Sequence, residues 1–196
     1  MPLIPLADLT ETRREQLRLQ AMRACVQKAI DQGIAKNRKD LIVREIVAGD
    51  ESDVTDFCDF DFKTATTTGQ EEWTEASADL TAGDLSSVVV SGETINDETL
   101  LGIYGFVDLT PAPDMTMMGF YKGSEVKDIW EVEHCYAQAP YGGINVDENG
   151  NAVVLIWEPK DPFNVKQNHK SAAAKNVVWL GFVVEKLGKR ITVPQV

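Results

Sequence analysis

The side chains best suited to nucleophilic or acid–base chemistry are scarce in this sequence, which has two histidines and three cysteines. His134 and Cys135 are adjacent, so on an extended strand they point to opposite faces and cannot form a nucleophile–base pair. Nothing in the sequence places His169 beside Cys58 or Cys135. We therefore expect neither a catalytic Cys–His pair nor a histidine-rich metal site, and we predict that the protein is not an enzyme.

Two acidic regions resemble cation sites, and each has a simpler interpretation. Asp147, Asn149 and Asn151 alternate as at the start of a calcium-binding loop, but a glycine stands at the fourth position, where such a loop has it at the sixth. This pattern favours a hairpin turn. A second group of carboxylates lies within residues 50–61 and could hold calcium or magnesium, although a solvated acidic loop explains it as well.

Tryptophans are the best candidates for contacts with a ligand or a partner. Trp157 and Trp179 lie inside apolar segments and are expected in the core, while Trp130 fits either place. Trp73 is flanked by three glutamates, and an exposed interface position suits it. A carbohydrate-binding surface usually exposes several aromatic side chains in a row, and that pattern is missing here.

Charge is divided unevenly along the chain, which has a formal net charge of -12. Residues 1–44 carry nine basic and five acidic residues, whereas residues 45–121 carry one lysine and 17 acidic residues. This balance excludes a protein-wide basic surface for nucleic acid, and the longest apolar runs are too short for a spanning helix. The division predicts that the basic part meets an acidic partner, although an acidic stretch that only keeps the protein soluble would give the same pattern.

Residues 1–37 are predicted to form an arm and one amphipathic helix. Prolines in residues 2–9 favour an extended arm, and Thr12 with Glu15 matches a capping box at the start of the helix. Gly33 or Asn37 is expected to end it. Burying five apolar side chains at roughly 1.5 kcal/mol each is worth several kcal/mol, so the helix must pack on the body or on another chain. These side chains are Leu19, Met22, Val26, Ala29 and Ile30.

Residues 38–196 are predicted to form a β-sandwich domain of about eight short strands separated by turn residues. In 129–136, Trp130, Val132 and His134 are expected on one face, and the apolar run 177–185 is typical of a central strand. Asn149-Gly150 predicts a hairpin, and residues 168–175 predict one helical turn. The further predicted strands are 41–47, 57–62, 86–91, 100–108, 115–122, 144–146, 152–157 and 191–193.

The predicted fold is therefore mainly β: a jelly-roll-like β-sandwich with one N-terminal amphipathic helix and a single core. That core is expected to contain Phe120, Trp157, Trp179 and Phe182. This organisation resembles that of a virion structural protein, most closely a single jelly-roll capsid subunit of a bacterial or archaeal virus. The resemblance rests on the helix at 12–34, the strand at 129–136, the Asn149-Gly150 hairpin and the segment 177–185. It is one of pattern, and it assigns no functional residues.

The resemblance implies a non-enzymatic subunit that assembles with copies of itself or with other virion proteins, through its helix and strand edges. Such a protein is made in the host cytoplasm and located in the virion. We predict subunit-interface residues, and we expect no cofactor and no small-molecule substrate. The alternative is a cytoplasmic β-sandwich module that binds carbohydrate or protein. The predicted interface residues are Leu19, Met22, Val26, Ile30 and Trp73.

Overall fold

The computed structural model describes residues 2–46, 72–74, 87–170 and 174–188, which are mainly β with one long helix. The helix, α1, covers Glu11–Asp31, and short 3-10 turns lie at Leu6–Asp8, Arg38–Asp40 and Glu133–Tyr136. The strands are β1 (Leu3–Pro5), β2 (Leu41–Glu45), β3 (Glu72–Thr74), β4 (Ser87–Thr94), β5 (Thr99–Asp108), β6 (Met115–Lys122), β7 (Glu125–Glu131), β8 (Gly142–Asn145), β9 (Leu155–Trp157), β10 (Pro162–His169) and β11 (Ala174–Lys186). The prediction of a mainly β fold with one N-terminal helix is confirmed.

These strands form two antiparallel sheets. The seven-stranded sheet has the order β1-β8-β5-β11-β2, with β9 also paired to β5 and β3 also paired to β11. The four-stranded sheet has the order β4-β10-β6-β7. Strand β11, whose apolar run predicted a central position, is paired on both sides, by β5 and by β2.

Strand pairing is nested. Strand β2 pairs with β11, β4 with β10, β5 with β8, and β6 with β7. Among these eight strands, the first therefore pairs with the last, the second with the second-last, and so on until β6 pairs with its neighbour β7. The pairs alternate between the two sheets, so the chain repeatedly crosses from one sheet to the other.

Aromatic side chains from both sheets form a shared core. Trp157 and Trp179 come from the seven-stranded sheet, and Phe120 and Phe163 come from the four-stranded sheet. The ring centroids of Trp157 and Phe163 are 4.9 Å apart, and those of Phe120 and Trp179 are 6.3 Å apart. The expected core positions of Phe120, Trp157 and Trp179 are confirmed.

The other face of the seven-stranded sheet carries a second core, so the expectation of a single core is wrong. Phe182 belongs to this second core and stacks on Tyr104, with ring centroids 5.7 Å apart. Because successive strand residues face opposite sides, Phe182 and its neighbour Val183 contribute to different cores. The seven-stranded sheet is thus buried on both faces.

Helix α1 closes the second core through residues spaced four apart, which we call the inner face. These residues are small apart from the first, and a Cβ added at Gly102 would lie 2.3 Å from the Cys25 Sγ, which shows how closely the helix approaches the sheet. The helix therefore packs on its own chain, one of the two placements that the sequence allowed. The inner-face residues, each 0% exposed, are Leu17, Ala21, Cys25 and Ala29.

The ends of the helix agree partly with the sequence. The capping residue is Thr10, whose hydroxyl accepts a hydrogen bond from the Arg13 amide, so the predicted start at Thr12 is two residues late. Gly33 follows the helix with a φ of 73°, as expected of a terminating glycine. The arm predicted to be extended over residues 2–9 is extended only in part: Leu3–Pro5 form β1, which pairs with β8, and a 3-10 turn follows at Leu6–Asp8. The domain boundary predicted at residue 37 stays a prediction. Helix α1, which precedes this residue, packs against strands that follow it.

Other predicted elements need correction. The strand expected over 129–136 ends at Glu131, and a 3-10 turn follows, because the Cys135 amide bonds to the Val132 carbonyl at 2.8 Å. The prediction of a helical turn over 168–175 is wrong at both ends of this segment, which are the parts that the structure describes. Asn168 lies in β10 and Lys175 lies in β11. The strands predicted at 57–62 and 191–193 lie outside the described residues.

Candidate assembly surface

Four of the predicted interface residues form a second apolar strip on α1, beside the inner face. We call Leu19, Met22, Val26 and Ile30 the outer stripe. Met22 packs partly against the second core, whereas Val26 is 7% exposed yet belongs to neither core among the described residues. Leu19 and Ile30 are half-buried. Ala29, which the sequence grouped with this strip, belongs to the inner face instead.

Most of the outer stripe lines a surface groove of about 580 Å³ along the second half of α1. Pockets of roughly 300–1,000 Å³ hold drug-sized ligands, so this volume admits several side chains of a partner. The groove has an apolar floor and two arginines at its rim. We call it the helix groove, and its lining residues are Met22, Arg23, Ala24, Val26, Gln27, Ile30 and Arg38.

The charges around the helix groove are not neutralised within the described chain. Arg23 and Arg38 are exposed, as are the nearby Lys36 and Lys39, and none of the four forms an ion pair with a described residue. The carboxylate of Asp40 accepts a hydrogen bond from the Asn37 side-chain amide, which is a neutral donor. The groove therefore presents apolar surface together with unpaired positive charge.

Leu19 lines a different cavity, of about 780 Å³, between the first half of α1 and the seven-stranded sheet. The two arginines that line this cavity already have partners within the chain. Arg18 bonds to Glu15 at 2.7 Å and also to Glu45, and Arg14 donates to the Leu6 carbonyl at 2.6 Å. The hydrogen bond from Arg18 lowers the pKa of Glu15 and, in return, Glu15 raises the pKa of Arg18. This cavity has little free charge to offer a partner.

The fifth predicted interface residue, Trp73, lies in β3, the short strand that pairs with the start of β11 opposite Lys175. The side chain of Trp73 is outside the described part of the structure, so its interface role stays a prediction. Trp130, which the sequence left open, is 1% exposed and belongs to the shared core.

Strand β7 exposes an apolar surface that the sequence analysis missed. This strand is an edge of the four-stranded sheet, and Val126 and Ile129 are 52% and 41% exposed. A bulge opposite Phe120 and Tyr121 lets these two residues share the outer face although they are three positions apart. We call Val126, Ile129 and Glu131 the β7 patch. A bulge cannot be read from alternation, so no sequence signal marked it.

The side chains that could do acid–base chemistry are held in structural roles. His134 Nε2 lies 3.0 Å from the Leu3 carbonyl oxygen and 3.6 Å from the Cys135 Sγ. The two side chains are thus closer than an extended strand would place them. However, a nitrogen that donates to a carbonyl carries its proton and cannot accept one from the thiol. Burial also raises the pKa of Cys135 to about 12, which disfavours the thiolate.

The other polar candidates show no metal cluster. Buried His169 has its Nδ1 3.3 Å from the Asp114 carboxylate and its Nε2 2.9 Å from the Gln167 side-chain oxygen. Asp147 bonds to the backbone amides of Asn149 and Asn151, both at 2.8 Å, as the predicted hairpin turn requires. In the described ranges, no three His, Cys, Asp or Glu side chains are grouped as metal ligands, and the acidic stretch 50–61 falls outside those ranges.

Within the described chain, no helix is both long and apolar enough to cross a membrane. No family model, no curated protein and no solved structure matches the sequence or the fold of this chain.

Proposed function

We propose that this chain is a self-assembling structural subunit of a virus particle, a non-enzymatic protein with a jelly-roll sandwich fold. The nested strand pairing supports the fold proposal, because a jelly roll has eight strands in two sheets built from two Greek keys. In a jelly roll, one long antiparallel hairpin is wound around a core. The first strand therefore pairs with the last, and the remaining strands pair inward in the same way. Jelly rolls occur in viral capsid domains and also in lectins.

One observation carries the function: α1 has two apolar strips, and its own chain fully buries one of them. The inner face is 0% exposed, while most of the outer stripe lines an open groove beside Arg23 and Arg38, which have no ion-pair partner among the described residues. An apolar surface rimmed by charge is typical of a protein–protein interface. We propose that copies of the chain, or other virion proteins, cover it after synthesis in the host cytoplasm.

The alternative, a carbohydrate-binding module, has less support. Trp130, Trp157 and Trp179 are at most 4% exposed and cannot form an exposed stacking platform. A protein-binding module would use the same helix groove as an assembling subunit, so the identity of the partner separates these two functions.

Mass photometry and sedimentation velocity of the full chain test the proposal across a wide concentration range. We expect oligomers, and we expect Met22→Ser with Ile30→Ser to weaken association because both side chains line the helix groove. Leu187→Ser is the matched control, since Leu187 is 58% exposed and lies outside the groove. A wild-type chain that remains monomeric at every concentration contradicts the proposal.

A further inference from the structure

We infer that the solvent side of the four-stranded sheet is a second assembly surface, through which two copies of the chain pair about a two-fold axis. The inference rests on the proposed function and adds a contact between copies that is separate from the helix groove. The surface extends the β7 patch across β6 and β10, and we call it the outer sheet face. Its three rows across β7, β6 and β10 are Val126, Tyr121 and Asn164, then Ile129, Gly119 and Lys166, then Glu131, Met117 and Asn168.

The outer sheet face is more apolar than the solvent side of an antiparallel sheet usually is. That side normally carries polar residues, because only the opposite side packs on the core. Here Val126 and Ile129 are 52% and 41% exposed. Beside them on β6, Tyr121 and Met117 are half-buried and belong to neither core among the described residues. A contiguous apolar surface bordered by charged side chains is typical of a site at which another protein binds.

Two side chains of opposite charge lie in separate parts of the outer sheet face. Glu131 is on its β7 side and Lys166 on its β10 side, and neither forms an ion pair with a described residue. The Nζ of Lys166 lies 5.3 Å from the ring centroid of Tyr121, which keeps the amine above the apolar rows. Two strand spacings and one two-residue step separate the backbone positions of Glu131 and Lys166, which corresponds to about 12 Å.

This arrangement of charge is complementary to a second copy of itself. A two-fold axis in the plane of contact, perpendicular to the line from Glu131 to Lys166 and midway along it, places each Glu131 opposite the Lys166 of the other copy. Two ion pairs then form in one contact, and Ile129 lies close to the axis, where it meets the same residue of the second copy. A different protein would have to present a matching pair of charges, whereas a second copy carries that pair by symmetry.

A contact of this kind is isologous, because both copies use the same surface, and it closes at two subunits. It therefore supplies a dimer, and a larger particle requires a further contact such as the one proposed for the helix groove. Two packed sheets lie about 10 Å apart with their side chains interdigitated, so the apolar rows of both copies would exclude water from around the ion pairs.

Charge reversals in the full chain test this contact. Glu131→Lys alone brings lysines together in both ion pairs, and Lys166→Glu alone brings glutamates together. We expect each single variant to weaken association at least tenfold, roughly the effect of one close like-charge contact. The chain that carries both changes restores both ion pairs in reversed order, so we expect it to regain most of the wild-type association. Sedimentation velocity and mass photometry measure all four chains.

The same comparison in a Met22→Ser, Ile30→Ser background separates this contact from the helix groove, because both of these residues line the groove. We expect the background chain to form a dimer and nothing larger. Either single reversal in this background should leave monomers, and the two reversals together should restore the dimer.

Glu125→Lys is the matched control. It makes the same charge change on β7, but the Glu125 side chain lies on the opposite side of the sheet, with Lys122 and Lys127. We expect this variant to associate as the wild-type chain does, and circular dichroism melts verify that every variant folds. Single reversals without effect, a double variant no better than the singles, or an equal loss in the control overturns the contact and leaves the proposed function standing. A monomeric wild-type chain overturns both.

Discussion

The inner face and the outer stripe of α1 are both apolar, yet their surroundings differ greatly. Leu17 and Leu19 are two positions apart on the same helix, yet Leu17 is fully buried and Leu19 is half-buried at the edge of a cavity. The difference arises from what lies opposite. The inner face meets a sheet surface opened by Gly102, whereas most of the outer stripe lines an open groove that Arg38 also borders.

This difference separates a folding role from the proposed assembly role within one helix. A fully buried side chain contributes to the free energy of unfolding of the single chain, and a half-buried one contributes mainly when a partner covers it. The apolar periodicity of the helix sequence includes residues of both strips and does not assign a residue to one of them. The contacts across the helix–sheet interface determine which strip is which.

The largest effect is expected from Leu17→Ala. Removing a fully buried leucine costs about 2–5 kcal/mol in the free energy of unfolding, because lost burial and a residual cavity both contribute. Leu19→Ala is the matched control and should cost roughly 1 kcal/mol or less, since its side chain remains partly in water. Urea unfolding followed by circular dichroism measures both. Equal losses for the two variants would remove the distinction between the strips.

A second prediction concerns the close contact between the helix and the sheet. Gly102→Ala would place a Cβ 2.3 Å from the Cys25 Sγ and 2.9 Å from a Val154 methyl, so the helix must shift. Overpacking of this kind costs about 1–3 kcal/mol. Adding Cys25→Ala removes the nearer clash, and the double-mutant cycle should show favourable coupling between the two sites. Additive losses would mean that the helix tolerates a wider separation from the sheet.

A third and smaller effect tests where the helix begins. Thr10→Ala removes the side-chain acceptor of the Arg13 amide and should lower the free energy of unfolding by about 1 kcal/mol. Thr12→Ala is a natural control, because Thr12 is an exposed residue inside the helix. The thermal midpoint should fall for the first variant and stay nearly constant for the second. The reverse order would restore the capping box that the sequence suggested.

Local patterns predicted the class of the fold and most of its elements. The helix, the central position of β11 and the turn at Asn149-Gly150 follow from periodicity and from residues that favour turns. Two threonines stood two positions apart near the start of the helix, and propensity alone could not choose between Thr10 and Thr12. The choice depends on the backbone at Thr10, which is extended and therefore outside the helix.

The remaining features depend on contacts between distant residues. Trp130 and Val132 alternate as in a strand, but Cys135 packs against Gly143 in β8, and the chain turns at that point. The bulge in β7 arises from pairing with β6, and so the exposed face of Val126 and Ile129 could not be predicted. The candidate surface was predicted in part, as the apolar helix residues, while the exposed apolar face of β7 was not.

The smallest effect concerns the polar flank of α1, which is attached to the turn after β8. Arg13 donates to the Gly150 carbonyl at 2.6 Å, and the Asp147 carboxylate holds the turn by accepting the Asn149 and Asn151 amides. The hydrogen bonds from Asn151 lower the pKa of Asp147 below its ordinary value of 3.8. Since the folded pKa is depressed, this contribution is complete above the ordinary value and is lost as the pH falls through the lowered one.

Nuclear magnetic resonance can follow the Asn149 and Asn151 amides during an acid titration. Both should shift together with a midpoint below 3.8, while signals from the inner face remain unchanged over the same range. Asp147→Asn should abolish this transition, because an amide does not titrate there. A midpoint at or above 3.8 would show that the backbone bonds do not favour the carboxylate.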